Sequence, residues 1–162
     1  MQLDVESTLH DQVRNLNLHQ HNIAPTQINI PAGIRHGESI RYPVKPLVPD
    51  NYNITQINVQ FIMTQHAEFQ LAGEHIVKEV TVNAFDAMLG TDITVNTLDG
   101  KTLKVKLPAG SPFGTKLKIP NNGLYIRQTK SRGDMYVVVH ISIPALTTEE
   151  RETITKMRET IK

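Results

Sequence analysis

The chain has 162 residues, with 17 Lys+Arg against 16 Asp+Glu, a formal net charge of +1, 39% hydrophobic residues and 20% charged ones. This balance excludes a net field that would gather nucleic acid or an anionic membrane, and the composition is that of a folded chain, not a disordered one. There is no Cys, which excludes disulfides, cysteine-ligated zinc, iron–sulfur clusters and a cysteine nucleophile. No apolar run approaches the roughly 20 residues that span a bilayer. The start, Met1-Gln2-Leu3-Asp4-Val5-Glu6, lacks the basic head and apolar core of a signal peptide. A cytoplasmic location, with no membrane partner, is expected.

Most of the periodicity is two, which predicts strands. In chain order, Leu3 with Val5, Leu16 with Leu18, and Ile28 with Ile30 alternate with polar residues. Tyr42 to Asn53, with Pro43, Pro46 and Pro49, reads as a loop. Val80 with Val82 resumes the alternation. Ala84 to Leu89, closed by Gly90, predicts a short helix. Ile93 with Val95, then Leu103, Val105 and Leu107, flank Asp99-Gly100, a strong hairpin signal. Leu117 and Ile119 alternate again. The continuous run Tyr136 to Val139 predicts a central strand covered on both faces. Pro31 and Pro108, which lack a ladder donor, end their strands. Thr147 to Ile161 predicts a terminal helix, opened by the capping box Thr147-Thr148-Glu149-Glu150.

An internal repeat organises these elements. Ile30-Pro31-Ala32-Gly33, three residues, Gly37, two residues, Ile40-Arg41 matches Leu107-Pro108-Ala109-Gly110 through Gly114 to Leu117-Lys118 at an offset of 77. Leu3-Asp4-Val5 falls opposite Val80-Thr81-Val82 at the same offset. Ile57 to Met63 falls opposite Met135 to Ile141 at an offset of 78. The expected architecture is mainly β. Two tandem, related subdomains span residues 1–74 and 75–146, followed by a short C-terminal helix over 147–162.

Several motifs together give the chain a resemblance to the C-terminal region of the DnaJ co-chaperone family. They are the twin apolar-Pro-Ala-Gly-x-x-x-Gly element, His66-Ala67-Glu68-Phe69-Gln70-Leu71-Ala72-Gly73-Glu74-His75-Ile76, Val82 to Gly90 followed by Thr97-Leu98-Asp99-Gly100-Lys101, and Arg132-Gly133-Asp134 running into Met135 to Val139. The resemblance covers essentially the whole chain and is weaker before Gln27. It implies two β-sandwich-like subdomains, the first holding a groove for unfolded polypeptide. Carried over by position, Leu3, Val5, Leu16 and Leu18 fall on the groove strands and Arg14 on a basic position before them. Phe85 falls on an aromatic that closes the groove. The resemblance also implies a homodimer through the tail, with Ile154, Met157 and Ile161 on one helix face. The competing reading of Leu3, Val5, Leu16 and Leu18 is plain core.

The departures are equally informative. No J-domain, zinc module, His-Pro-Asp tripeptide or glycine/phenylalanine-rich linker is present, and the Gly-Asp expected before the first central strand is Thr55-Gln56. Direct ATPase stimulation of a DnaK-class chaperone is therefore not expected. The chain is either a piece of a longer J-domain protein or a free-standing client-binding unit, and numbering from Met1 favours the second. Gly110 to Lys116 has a glycine-rich look, but its spacing and following strand do not suit phosphate binding. His19 and His21, with His10 nearby, share a strand face without the carboxylates a metal site needs. No catalytic constellation, cofactor or metal is expected. The functional expectation is binding of unfolded polypeptide by strand addition and an apolar groove, without catalysis. Two alternatives stand beside it. One is nucleic-acid binding through the outward lysines Lys104, Lys106, Lys116 and Lys118, and the other is an assembly protein that kept the fold.

Overall fold

The alternating segments do form strands, and the computed structural model describes residues 1–48 and 54–161. The first part contains β1 (Gln2–Leu3), β2 (Gln12–Leu16), β3 (Thr26–Ile30), β4 (Ser39–Pro43), β5 (Gln56–Gln60) and β6 (Ile62–Met63). Next come β7 (Gln70–Ala72), β8 (His75–Asn83), α1 (Ala84–Leu89), β9 (Thr91–Asn96) and β10 (Thr102–Leu107). The chain continues through β11 (Thr115–Ile119), β12 (Tyr125–Ile126), β13 (Ser131–Arg132) and β14 (Met135–Ser142), and α2 (Thr148–Thr160) follows. The structure is mainly β with a short C-terminal helix, as expected.

β2 pairs antiparallel with β3 and β4 with β5, while β1 runs parallel to β6. β9 and β10 form the hairpin expected at Asp99-Gly100. β11, β14, β8 and β7 make a four-stranded sheet in that order. Paired sheets bury their apolar faces between them. One core holds Leu3, Ile28, Ile30, Ile34, Tyr42, Phe61 and Met63. The other holds Ile76, Ile93, Val95, Leu107, Met135, Val137 and Val139, joined by Val5, Leu9 and Phe69. The division expected between Glu74 and His75 falls in the turn of the β7–β8 hairpin, and β7 lies in the sheet of the second core.

The repeat is structural as well as sequential. Ser39 faces Gln60 and Tyr42 faces Ile57, and at offsets of 77 and 78 Lys116 faces Val138 and Ile119 faces Met135. Gly37 donates to the Phe61 carbonyl at 2.7 Å and Gly114 to the Val139 carbonyl at 2.8 Å. Gly33 and Gly110 both turn with positive φ, +74° and +76°, a conformation glycine adopts without a Cβ clash. The N-terminal segment follows a different offset from the one its sequence suggests. Gln2 faces Ile62 and Leu3 faces Met63, as Thr81 faces His140 and Val82 faces Ile141, so this segment is displaced by 79. By that alignment the 3-10 turn Glu6–Leu9 stands where α1 stands.

Several local expectations change. The strand alternation of Leu3 and Val5 ends at Leu3, since Val5 has helical dihedrals and caps the 3-10 turn. Likewise β2 ends at Leu16, and His19–His21 form a 3-10 turn instead of a strand face. Tyr42 and Pro43 close β4, and Pro46 bridges Ile23. The rest of that expected loop, Pro49 to Asn53, lies outside the described residues. β14 is central, but only its Met135, Val137 and Val139 face is fully buried, with Tyr136 and Val138 half-buried.

The β9–β10 turn is fastened by charge. Asp99 accepts from the Thr97 hydroxyl at 2.7 Å and pairs with Lys101 at 2.9 Å and Arg132 at 3.4 Å. The Thr97 hydroxyl first, then Lys101, holds the Asp99 carboxyl well below the usual carboxylate range. A carboxylate whose folded pKa is depressed contributes stability above its unfolded pKa and loses it as pH falls through the folded one. Asp99→Asn should thus cost about 1 kcal/mol at neutral pH. The gap to the parent should narrow on acidification below the ordinary Asp range, as read by denaturant melts at stepped pH.

Candidate functional site

An apolar groove of about 670 Å3 opens on the first repeat. Its walls are Leu16 and Leu18 at the end of β2, Ile57 and Val59 on β5, Ile62 on β6, and Met1, Ile23 and Ile54. The sequence produces it simply. Leu16, Ile57 and Val59 sit on strand faces turned toward the first core and pack partly against it. Nothing among the described residues covers their outer sides, so Leu16 and Leu18 remain half-buried and Ile62 is 44% exposed. Asn58, Gln60 and His21 supply the polar rim. Such a groove has no array of nucleophile, base or metal ligand, and its chemistry is desolvation of apolar side chains.

The expectation that Leu3, Val5, Leu16, Leu18 and Phe85 share one depression does not hold. Leu16 and Leu18 line the groove, but Leu3 and Val5 are 2% and 1% exposed and lie in different cores. They point inward because β1 is short and the chain turns at Val5. Arg14 is exposed on β2, with its guanidinium 3.3 Å from the Gln12 side-chain oxygen. Phe85 is on α1, where it lines a separate crevice of about 470 Å3 with Met88, Leu89, Ile154, Met157, Arg158 and Ile161. The tail stripe Ile154, Met157 and Ile161 therefore shares one face, as expected, and turns it toward α1. The capping box at Thr147 forms as read from sequence, its hydroxyl accepting from the Glu150 N–H at 3.3 Å.

The four lysines do not make one face. Lys104 and Lys106 are exposed on β10, while Lys116 and Lys118 are exposed on β11. These strands belong to the two sheets that bury Leu107 and Ile119 in one core, so their outward residues point apart. Lys118 is also paired with Asp134 at 3.0 Å.

Sequence reasoning missed Ile57, Val59 and Ile62 as groove residues. They entered the sequence reading only through the repeat, aligned with β14, and were given no binding role, whereas β5 has no second neighbour among the described residues. One signal was available. Gly133 makes room for the Glu74 carbonyl, which would lie 2.0 Å from an added Cβ. Thr55, an exposed residue, stands at the same place in the first repeat.

Comparison with known proteins agrees with this architecture. The profile of the DnaJ C terminal domain matches residues 1–144. Chaperone protein DnaJ 2 of Aquifex aeolicus is 33% identical over 129 residues, covering 74% of this chain and 32% of that protein. Chaperone protein DnaJ of Acetobacter pasteurianus is 32% identical over 78% of this chain and 34% of its own length. Chaperone protein DnaJ 1 of Streptomyces coelicolor is 32% identical over 82% and 34%. The chain spans about one third of the length of these relatives. With two registered β repeats, the twin Pro-Ala-Gly turns and a profile match over nearly its whole length, the chain belongs to the DnaJ C terminal domain family.

Proposed function

We propose that the chain binds extended apolar segments of non-native polypeptide in the Leu16–Leu18 groove, as a chaperone-type client-binding unit without catalysis. The carrying observation is the apolar groove lined by Leu16, Leu18, Ile57, Val59 and Ile62. Unfolded chains share exposed apolar side chains and free backbone, and these are the two things such a site recognises. Burying about 200 Å2 of client surface contributes roughly 5 kcal/mol at about 25 cal/mol per Å2. Much of that is offset by ordering the client, so weak affinity is expected. Weak binding suits a protein that must release its client. The family relation supports the reading, and the split lysines favour no nucleic-acid alternative. Titration with a denatured client and with a leucine-rich peptide, using duplex DNA as control, tests it. Binding of DNA but of neither polypeptide would reverse the assignment.

The homodimer belongs to the same proposal. Met88, Leu89, Met157 and Ile161 are 55–80% exposed around the α1–α2 crevice, and no residue of α2 is fully buried. A helix with so thin an apolar stripe gains little from its own packing. Removing residues 147–162 should halve the solution mass measured by light scattering, while the melting temperature of the β core changes little. An unchanged mass would count against a tail-mediated dimer.

A further inference from the structure

Two of the five methionines stand apart from the rest. Met63 and Met135 are buried in the two cores, and Met1 is half-buried at the Leu16 groove. Met88 on α1 and Met157 on α2 are 56% and 55% exposed, and both line the crevice of about 470 Å3 between the two helices. Phe85, Leu89, Ile154 and Ile161 make up the hydrocarbon part of its wall, and Arg158 is its one charged residue among those described. The crevice thus holds two thioethers within reach of solvent in an otherwise hydrocarbon lining.

The two helices are held very differently. α1 is fastened to the β core: Ala87 is 2% exposed, and its carbonyl accepts from the Gly110 N–H at 3.0 Å and the Ser111 N–H at 3.2 Å. α2 has no such anchor among the described residues. Its hydroxyls bond within its own turns, Thr153 donating to the Glu149 carbonyl at 3.0 Å, Thr155 to Arg151 at 2.8 Å and Thr160 to Lys156 at 3.1 Å. No ion pair among those residues joins it to the β core. None of its residues is fully buried. Apolar contact at the crevice is what keeps α2 in place, and a polar group introduced there favours the open, hydrated arrangement.

We propose that Met88 and Met157 form a modification site, at which oxidation to the sulfoxide by a two-electron oxidant of the peroxide class releases α2 from α1. The thioether sulfur gives an electron pair to one peroxide oxygen, and the O–O bond breaks. The proton of the attacked oxygen goes to the leaving hydroxide, which departs as water. Sulfur is oxidised by two electrons and the peroxide is reduced by two. The product side chain is polar and chiral where the thioether was apolar and adaptable, and methionine sulfoxide reductases return it to the thioether. Neither the peptide groove nor the dimer is needed for this. Docking of α2 on α1 within one chain is enough.

The test treats the whole chain with hydrogen peroxide. Peptide mass mapping over time should find sulfoxide at Met88 and Met157 at least about tenfold faster than at Met63 and Met135. Amide exchange over Thr148–Thr160 should then quicken at least about tenfold while β8 and β14 keep their protection. The two sulfoxide reductases together should restore the slow exchange. Met88→Leu combined with Met157→Leu keeps the crevice apolar at similar volume. That variant should hold α2 through the same treatment, although Met1 is still present to oxidise. Equal oxidation rates at all the methionines overturn the proposal, as does unchanged exchange in α2 once Met88 and Met157 are sulfoxides. So does an α2 that already exchanges freely before oxidation, or a leucine variant that loses α2 as readily as the parent. Loss of protection in β8 and β14 together with α2 overturns it too, because the change would then not be confined to the crevice.

Discussion

Leu16→Asp combined with Leu18→Asp should abolish binding of an apolar peptide while leaving the protein folded. Both side chains line the groove and are half-buried, so aspartates there stay hydrated in the free protein. A bound client would have to strip that hydration, a penalty of several kcal/mol that weakens binding by at least about a hundredfold. The fold should lose about 1–2 kcal/mol, because Leu16 packs only partly on the core. Val5→Asp should behave in the opposite way. It puts a charge into a site 1% exposed, and it should unfold the protein instead of acting on binding selectively. Melting and peptide titration on both variants separate groove from core. A folded double variant that still binds would place the site elsewhere.

Gly133→Ala should be among the most destabilising single changes available in the second repeat. A Cβ at Gly133 would lie 2.0 Å from the Glu74 carbonyl oxygen and 2.7 Å from its carbon. These are backbone atoms, and they are fixed. Leu124 donates to the Glu74 carbonyl at 2.9 Å, Gly133 donates to the Leu124 carbonyl at 2.9 Å, and Gly123 donates to the Gly133 carbonyl at 2.8 Å. Relief of the clash must break part of that junction, so a loss of about 3 kcal/mol is expected. For a chain of this size that lowers the melting temperature by about 10 °C. Thr55→Gly, at the equivalent place in the first repeat, should change stability by less than about 1 kcal/mol in either direction, since Thr55 is exposed.

Much of the fold was legible because it was written twice. The Pro-Ala-Gly turns, the Asp99-Gly100 hairpin, α1 and the capped α2 all rest on local chemistry that a sequence displays. What was not legible depended on long-range pairing. Leu3 and Val5 alternate like a strand, yet the chain turns at Val5 and sends the two side chains into different cores. Phe85 follows a helix start capped by the Asn83 side chain, which turns it toward α2 and away from the groove. The lysines alternate cleanly on β10 and β11, but periodicity does not say that those strands belong to opposing sheets. Leu16 and Leu18 were found by position. Ile57, Val59 and Ile62 were missed because their exposure depends on which strands pair beside them, which the local pattern does not display. The offset of 79 in the N-terminal segment is visible only in the strand register.

The most direct measurement is a backbone and methyl chemical-shift map of the protein titrated with a leucine-rich peptide. Saturable shifts should concentrate at Leu16, Leu18, Ile57, Val59 and Ile62, with Phe85, Met88, Leu89 and Met157 unmoved. Shifts centred on the α1–α2 crevice, or on the lysine strands β10 and β11 with the groove silent, would contradict peptide capture in the groove.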